Sequence, residues 1–181
     1  ASCSLRLNDD GSIQIVAGTV NLTGMSTALC QLTAEEFGIS LDEVRYSTGD
    51  TDSAPQSTAA SGSKATRSVG QAILSAAEDI REKIFSVASS KLEADPADLV
   101  LVDGKVSVAS APERSLTLAE VAAAAPGVQG YVIGSGETAK PPPCPIHTAQ
   151  VAEVAVHPEL GEVRVLKLYC AQDVGFAINP T

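Results

Sequence analysis

The 181-residue chain is 44% hydrophobic and carries a formal net charge of −10, so it can bury a core within one domain or two small lobes. Its overall field disfavours nucleic acid and anionic membrane surfaces, and any anion site must therefore be local. No apolar run approaches the length needed to span a bilayer, and the opening ASCSLRLNDDG lacks the charged and apolar regions of a signal peptide. The expectation is no membrane insertion and a cytoplasmic protein, or a periplasmic one if a longer parent chain carries an export signal.

Residues 3 to 7 alternate around Leu5 and Leu7, and Asn8-Asp9-Asp10-Gly11 turns the chain into Ile13, Ile15 and Ala17, the pattern of a β-hairpin. Met25, Leu29 and Leu32 then recur at helical spacing, with Thr23 or Ser26 as the candidate cap and Gly38 as the stop. Ser40-Leu41-Asp42-Glu43 fits a capping box for one short turn before a strand from Val44 to Ser47. From Thr48 to Ser63 the composition of Gly, Ser, Thr, Ala, Asp and Pro55 resists regular structure. Val69, Ile73, Ile80, Ile84 and Val87 then keep to one stripe of a long amphipathic helix ending by Asp95-Pro96.

Leu99–Val102 and Val106–Val108 flank Asp103-Gly104, a type I′ hairpin signal, and Leu116 to Ala125 reads as a further helix stopped by Pro126-Gly127. Pro141-Pro142-Pro143 and Pro145 form a stiff extended connector. Val151–Val156 and Val163–Tyr169 read as strands joined through residues 157 to 161. Hairpins and helices in mixed order predict an α+β fold: a mixed, partly antiparallel sheet, two principal packed helices and several hairpins. The four cysteines form no Cys-x-x-Cys pair and there are only two histidines, so a protein-held metal or a histidine-dependent triad has little material.

The chemistry concentrates where the long loop enters the long helix, at Gly62-Ser63-Lys64-Ala65-Thr66-Arg67. Gly62 lets backbone approach a ligand, while Ser57, Thr58, Ser61, Ser63 and Thr66 offer hydroxyls. The opening N–H groups of the helix present unpaired donors to an anion. Cations at a helix start are unfavourable unless an anion compensates, so Lys64 and Arg67 there suit a phosphate or pyrophosphate. Neither standard nucleotide motif is present, and Gly134-Ser135-Gly136 is too short a match to count.

Three segments in order resemble the molybdenum-cofactor-binding subunit of the xanthine dehydrogenase and aldehyde oxidase family. They are Asp10-Gly11-Ser12 through Gly18-Thr19 to Ala34–Ile39; Gly49-Asp50-Thr51-Asp52-Ser53-Ala54-Pro55 leading to Gly62–Thr66 and Gly70-Gln71-Ala72; and Ala152–Val156 through Gly161–Val165 to Asp173-Val174-Gly175 and Ala177-Ile178-Asn179-Pro180. The resemblance implies a molybdopterin cofactor, often in a cytosine dinucleotide form, whose dithiolene rather than the protein holds the metal. It implies hydroxylation of an aldehyde or N-heterocycle, a small-molecule substrate, with oxygen from water. Iron-sulfur and FAD groups are expected on partner domains or subunits, beside the remainder of the molybdenum subunit.

Carried onto this sequence, the cofactor-binding residues are Thr23, Gly24, Met25, Asp50, Thr51, Ser61, Gly62, Ser63, Lys64, Thr66, Arg67 and Asp173, with no metal ligand. Thr23-Gly24-Met25 stands where many relatives carry Gly-Gln-Gly, so the Gln is absent. The family's catalytic glutamate lies beyond the Asn-Pro motif, which leaves no catalytic residue expected on residues 1–181. The expectation is one cofactor-binding domain that is a fragment of a larger subunit, sub-divided as a loop-helix core over 1–95, a hairpin-helix insertion with its Pro-rich connector over 96–145, and a hairpin completing the sheet over 146–181. The chief alternative is a non-catalytic interaction domain using the Ser/Thr-rich loop and Pro141 to Pro145 as contacts; a hydrolase using a loop serine is weaker, because no histidine is placed to pair with it. Asp50 and Asp52 either cap backbone N–H groups or touch ligand, and Asp173 either shapes a turn with Gly175 or lies near the cofactor.

Overall fold

The structure is a computed structural model that describes residues 1–48, 50–57, 59–138 and 145–180. The expected connector at Pro141–Pro143 lies outside the described residues, as do Gly49 and Thr58. Two compact units divide the chain, Ala1–Pro141 and Pro142–Thr181. Among the described residues no helix is long and apolar enough to cross a membrane.

In the first unit β1 (Ser2–Leu7) and β2 (Ile13–Ala17) form the expected antiparallel hairpin. Period-two alternation sends Cys3, Leu5, Leu7, Ile13, Ile15 and Ala17 to one buried face. Helix α1 (Met25–Phe37) follows and ends on Gly38, whose left-handed φ of 62° lets its N–H reach back to the last turn. The capping box at Ser40 and Glu43 is present around a short 3₁₀ turn, and β3 (Val44–Thr48) then joins β2 in parallel.

The long helix, α2 (Ala65–Leu92), buries the expected stripe: Val69, Ile73, Ile80, Ile84 and Val87 are all fully buried. It lies across a sheet of order β3-β2-β1-β7, whose last strand, β7 (Ile133–Glu137), pairs antiparallel with β1. The sequence pattern does not foresee this strand, because Ile-Gly-Ser-Gly-Glu has little strand propensity. Its glycines are required by contact rather than by conformation. A Cβ at Gly136 would stand 2.1 Å from the Ala72 carbonyl oxygen and 2.3 Å from the Ala76 nitrogen, and one at Gly134 would stand 2.5 Å from the Ala76 oxygen. Backbone of β7 therefore rests directly on the alanine side of α2, where no side chain fits. Asp79 fixes the same junction, accepting from the Ser135 N–H and from Lys83, whose Nζ also donates to the Ile133 carbonyl.

A second sheet contains β4 (Leu99–Val102), β5 (Lys105–Val108) and β6 (Ala111–Thr117), all antiparallel. Positive φ at both Asp103 (47°) and Gly104 (67°) is what the expected type I′ turn requires. The helix expected from Leu116 begins later, as α3 (Leu118–Ala124), because Thr117 and Glu120 make a capping box that ends β6 and starts the helix. Leu99, Val106, Val108, Leu118 and Val121 join the same core as the first sheet and α2.

In the second unit β8 (His147–Val156) and β9 (Val163–Asp173) form an antiparallel two-stranded sheet, longer at both strands than expected. The turn between them closes through the Gly161 N–H on the His157 carbonyl and the His157 N–H on the Glu162 carbonyl.

Gly136→Ala is expected to destabilise the protein by about 3 kcal/mol, the upper end of the usual overpacking cost, because backbone atoms rather than flexible side-chain ends must yield. Gly127→Ala, where a Cβ meets nothing within 4 Å, should stay within about 0.5 kcal/mol of the parent. Urea unfolding of both variants checks this, and equal midpoints for the two would contradict the contact.

Candidate functional site

Left-handed backbone precedes both α1 and α2. Thr23 (φ 53°) and Gly24 (φ 77°) lead into α1, while Gly62 (φ 59°) and Ser63 (φ 52°) lead through Lys64 into α2. A left-handed residue followed by a right-handed one aims successive N–H groups into one concavity, a geometry that accepts anions. Thr23 is β-branched, so its left-handed backbone is strained by about 1–3 kcal/mol. Its hydroxyl donates to the Leu22 carbonyl at 2.8 Å.

The expected side-chain caps are absent. Gly24 occupies the N-cap position of α1, and neither Thr23 nor Ser26 caps the helix; the Ser26 N–H instead donates to Asn21 Oδ1 at 3.3 Å. Thr23 fails as a cap because its own backbone is left-handed and its hydroxyl is turned to Leu22. Helix α2 starts on Lys64 with no side-chain cap either, so its positive dipole end is not neutralised by a capping oxygen.

Both helix starts border one cleft of about 380 Å³. Thr23 and Met25 come from the α1 side, and Ser61, Ser63, Lys64 and Thr66 from the α2 side. Gly24 and Gly62 belong to the same two backbone segments, and Arg67 is half-buried in the first turn of α2. Among the described residues no carboxylate lines this cleft. Sequence reasoning misses its apolar side, Val20, Leu22, Ala60 and Ala65; Val20 and Leu22, more than half exposed, are legible only as large apolar residues inside a Gly- and Thr-rich loop.

Asp50 and Thr51 do not line the cleft. The Asp50 carboxylate accepts from the Asp52 N–H, the Ser53 N–H and the Ser53 hydroxyl, at 3.0, 2.9 and 2.9 Å. Of the two roles open to it, the structure shows the capping of backbone N–H groups. The following residues run over the sheet: the Gln56 carbonyl accepts from the Ser2 N–H, and a Cβ at Gly18 would meet the Pro55 oxygen at 2.3 Å. Asp173, in the second unit, accepts from the Gly175 N–H at 3.0 Å and so shapes a turn. A second cleft of about 440 Å³, lined by Asn21, Ser26, Cys30 and Tyr46 among others, contains no charged side chain among the described residues, and burial pushes the Cys30 thiol up.

The family model of the molybdopterin cofactor-binding domain matches residues 1–181. The chain belongs to this family. The resemblance to the xanthine dehydrogenase and aldehyde oxidase group is thereby borne out, and the relatives of this molybdopterin cofactor-binding domain are much longer proteins. It is 29% identical to the nicotine 6-hydroxylase large subunit of Paenarthrobacter nicotinovorans, over 99% of this chain and 23% of that protein. It is 32% identical to a probable hypoxanthine oxidase of Escherichia coli, over 99% of this chain and 19% of that protein. Among solved structures, a Cu,Mo-CO dehydrogenase superposes with a TM-score of 0.85 at 27% identity, covering 99% of this domain and 23% of that chain. The quinoline 2-oxidoreductase of Pseudomonas putida gives 0.81 at 25% identity, over 99% and 24%. The domain thus spans about a fifth to a quarter of the relatives it matches.

Hydrogen bonds from Ser53 and Asp52 hold the Asp50 carboxyl below its ordinary value of 3.8. Such a group stabilises the turn above its unfolded pKa and loses that contribution as pH falls through the lower folded value. A carboxyl-carbon NMR titration should place the Asp50 midpoint below 3.8 and move it upward in Ser53→Ala; a midpoint in the parent at or above that ordinary value contradicts the turn described.

Proposed function

We propose that the cleft between the starts of α1 and α2 holds the phosphate-bearing end of a molybdopterin cofactor. The observation that carries this reading is the meeting of two helix N-termini and the Lys64 ammonium at one cleft without a carboxylate among the described residues. A phosphate there receives N–H and hydroxyl donors and a full positive charge, and its own charge offsets the unfavourable placement of a cation at a helix start. The donor set therefore fits the group.

In this reading Lys64 and the first N–H groups of α2 bind phosphate oxygens, Ser61, Ser63 and Thr66 donate hydroxyl hydrogen bonds, and Arg67 adds positive charge in the same turn. Thr23, Gly24 and Met25 form the opposite wall, where backbone N–H groups and a thioether stand in place of a glutamine amide. Asp50 and Thr51 act indirectly, by shaping the loop that leads to Ser61. Asp173 enters this reading on the sequence resemblance alone; in the structure its carboxylate accepts from the Gly175 N–H. The cofactor, in its cytosine dinucleotide or plain form, supplies molybdenum redox chemistry when bound.

The whole protein is then a molybdenum hydroxylase that transfers water-derived oxygen to an aldehyde or N-heterocycle, with iron-sulfur and flavin groups on partner domains or subunits. Nicotine, hypoxanthine and quinoline, named in three of the relatives, are nitrogen heterocycles and favour that substrate class. The general base belongs to a part of the protein other than residues 1–181.

In the full-length protein, Lys64→Ala combined with Arg67→Ala is expected to lower cofactor and molybdenum per protomer. Each charge-assisted bond contributes about 1.5–3 kcal/mol, or about tenfold or more in affinity. Lys64→Arg should retain most of the cofactor, and thermal unfolding of the cofactor-free variants should match the parent. Unchanged cofactor content would remove both residues from the site. The 181-residue chain supplied with cofactor and N-heterocycles should give no repeated turnover, since a positioned base is worth about 10²–10⁴-fold; sustained product formation would contradict the assignment of the base.

A further inference from the structure

Residues 20–26 separate two clefts of the first unit. Val20, Leu22, Thr23 and Met25 line the cleft already described, whereas Asn21 and Ser26 line the second, of about 440 Å³, beside α1 and the edge strand β3. That volume suits a small ligand, and the polar groups around it are uncommitted. Asn21 Oδ1 accepts from the Ser26 N–H at 3.3 Å, but the Asn21 amide NH₂ and the hydroxyls of Ser26 and Thr48 make no hydrogen bond among the described residues. The Tyr46 hydroxyl reaches only the Thr19 carbonyl, at 3.4 Å, and the Thr19 hydroxyl, 3% exposed, has no partner among the described residues. A buried orphan of this kind marks hydrogen-bonding capacity that a ligand or an ordered water satisfies.

We propose that this second cleft is a separate small-molecule site, for a neutral ring that carries a carbonyl beside an N–H, as a cyclic amide does. Among the described residues no charged side chain lines it, so an ion entering it would lose hydration without gaining a counter-charge. A phosphate is drawn instead to the first cleft, where Lys64 stands. In the second, the Asn21 NH₂ donates to the ring carbonyl and a Ser26 or Thr48 hydroxyl accepts from the ring N–H, while Tyr46, Leu41 and Val44 supply the apolar surface on which the ring rests. The inference does not depend on the cofactor reading.

Cys30 borders this cleft and not the first, so its thiol reports occupancy locally. The test compares the rate of Cys30 modification by methyl methanethiosulfonate in the full-length protein, read by peptide mapping, with and without 2-pyridone. A ring of this size is expected to bind with a Kd of about 1 mM, and about 10 mM should then slow the reaction about tenfold. N-methyl-2-pyridone, which lacks the N–H, should bind about tenfold more weakly and protect only about twofold at the same concentration. Asn21→Asp keeps an oxygen for the Ser26 N–H but replaces the donor by a carboxylate oxygen, and should abolish protection. No protection of the parent by 2-pyridone would overturn the inference, as would equal protection by the two rings, which would reduce the site to an apolar crevice, or protection that survives in Asn21→Asp. A Cys30 that is unreactive without ligand would show the cleft filled by the protein itself and would also overturn it. Should Asn21→Asp fail to fold, the comparison of the two rings on the parent decides alone.

Discussion

The contact of β7 backbone with the alanine side of α2 fixes the position of the helix from which the candidate site is built. With glycine at 134 and 136, the strand approaches until no Cβ could be inserted. Arg81 ties the helix to α1 through the Glu36 carbonyl and carboxylate, at 2.9 and 3.2 Å. Nearer the start of α2, a Cβ at Gly70 would stand 3.3 Å from Leu32. Two helices held this closely bring their N-termini to one place, and the cleft is a consequence of that packing.

In the proposed reading, electrostatics gives the place its selectivity. A net charge of −10 repels anions at long range, yet the cleft combines helix-dipole ends, their N–H groups and Lys64. Short-range complementarity of this kind acts only on a ligand already brought in. Strain at Thr23 and Ser63, both non-glycine residues with left-handed backbone, is offset by the rigid helices that follow.

Much of this was legible in the sequence wherever periodicity and turn chemistry agreed. The stripe from Val69 to Val87, the Asp103-Gly104 turn and the Ser40 capping box all carry their signal in consecutive residues. Strand β7 is hidden because its glycines are selected by a neighbour distant in sequence, and β6 because Thr117 reads as part of a helix rather than as its cap. At the site, the cations and hydroxyls are visible as residue types, whereas the apolar side at Val20 and Leu22 requires α1 and α2 to be placed together. Asp50 is legible as a residue of the loop; that its carboxylate closes a turn instead of lining the cleft depends on the path of residues 50–57 over the sheet.

In the proposed reading a phosphate lies between the starts of α1 and α2. Crystals of the full-length protein carrying its native cofactor, measured at long wavelength, would locate phosphorus directly by its anomalous signal. A phosphorus peak is expected in the cleft, with its oxygens at about 3 Å from Lys64 Nζ and the first N–H groups of α2. A peak elsewhere in the protein, with the cleft filled by solvent or by other side chains, would contradict it.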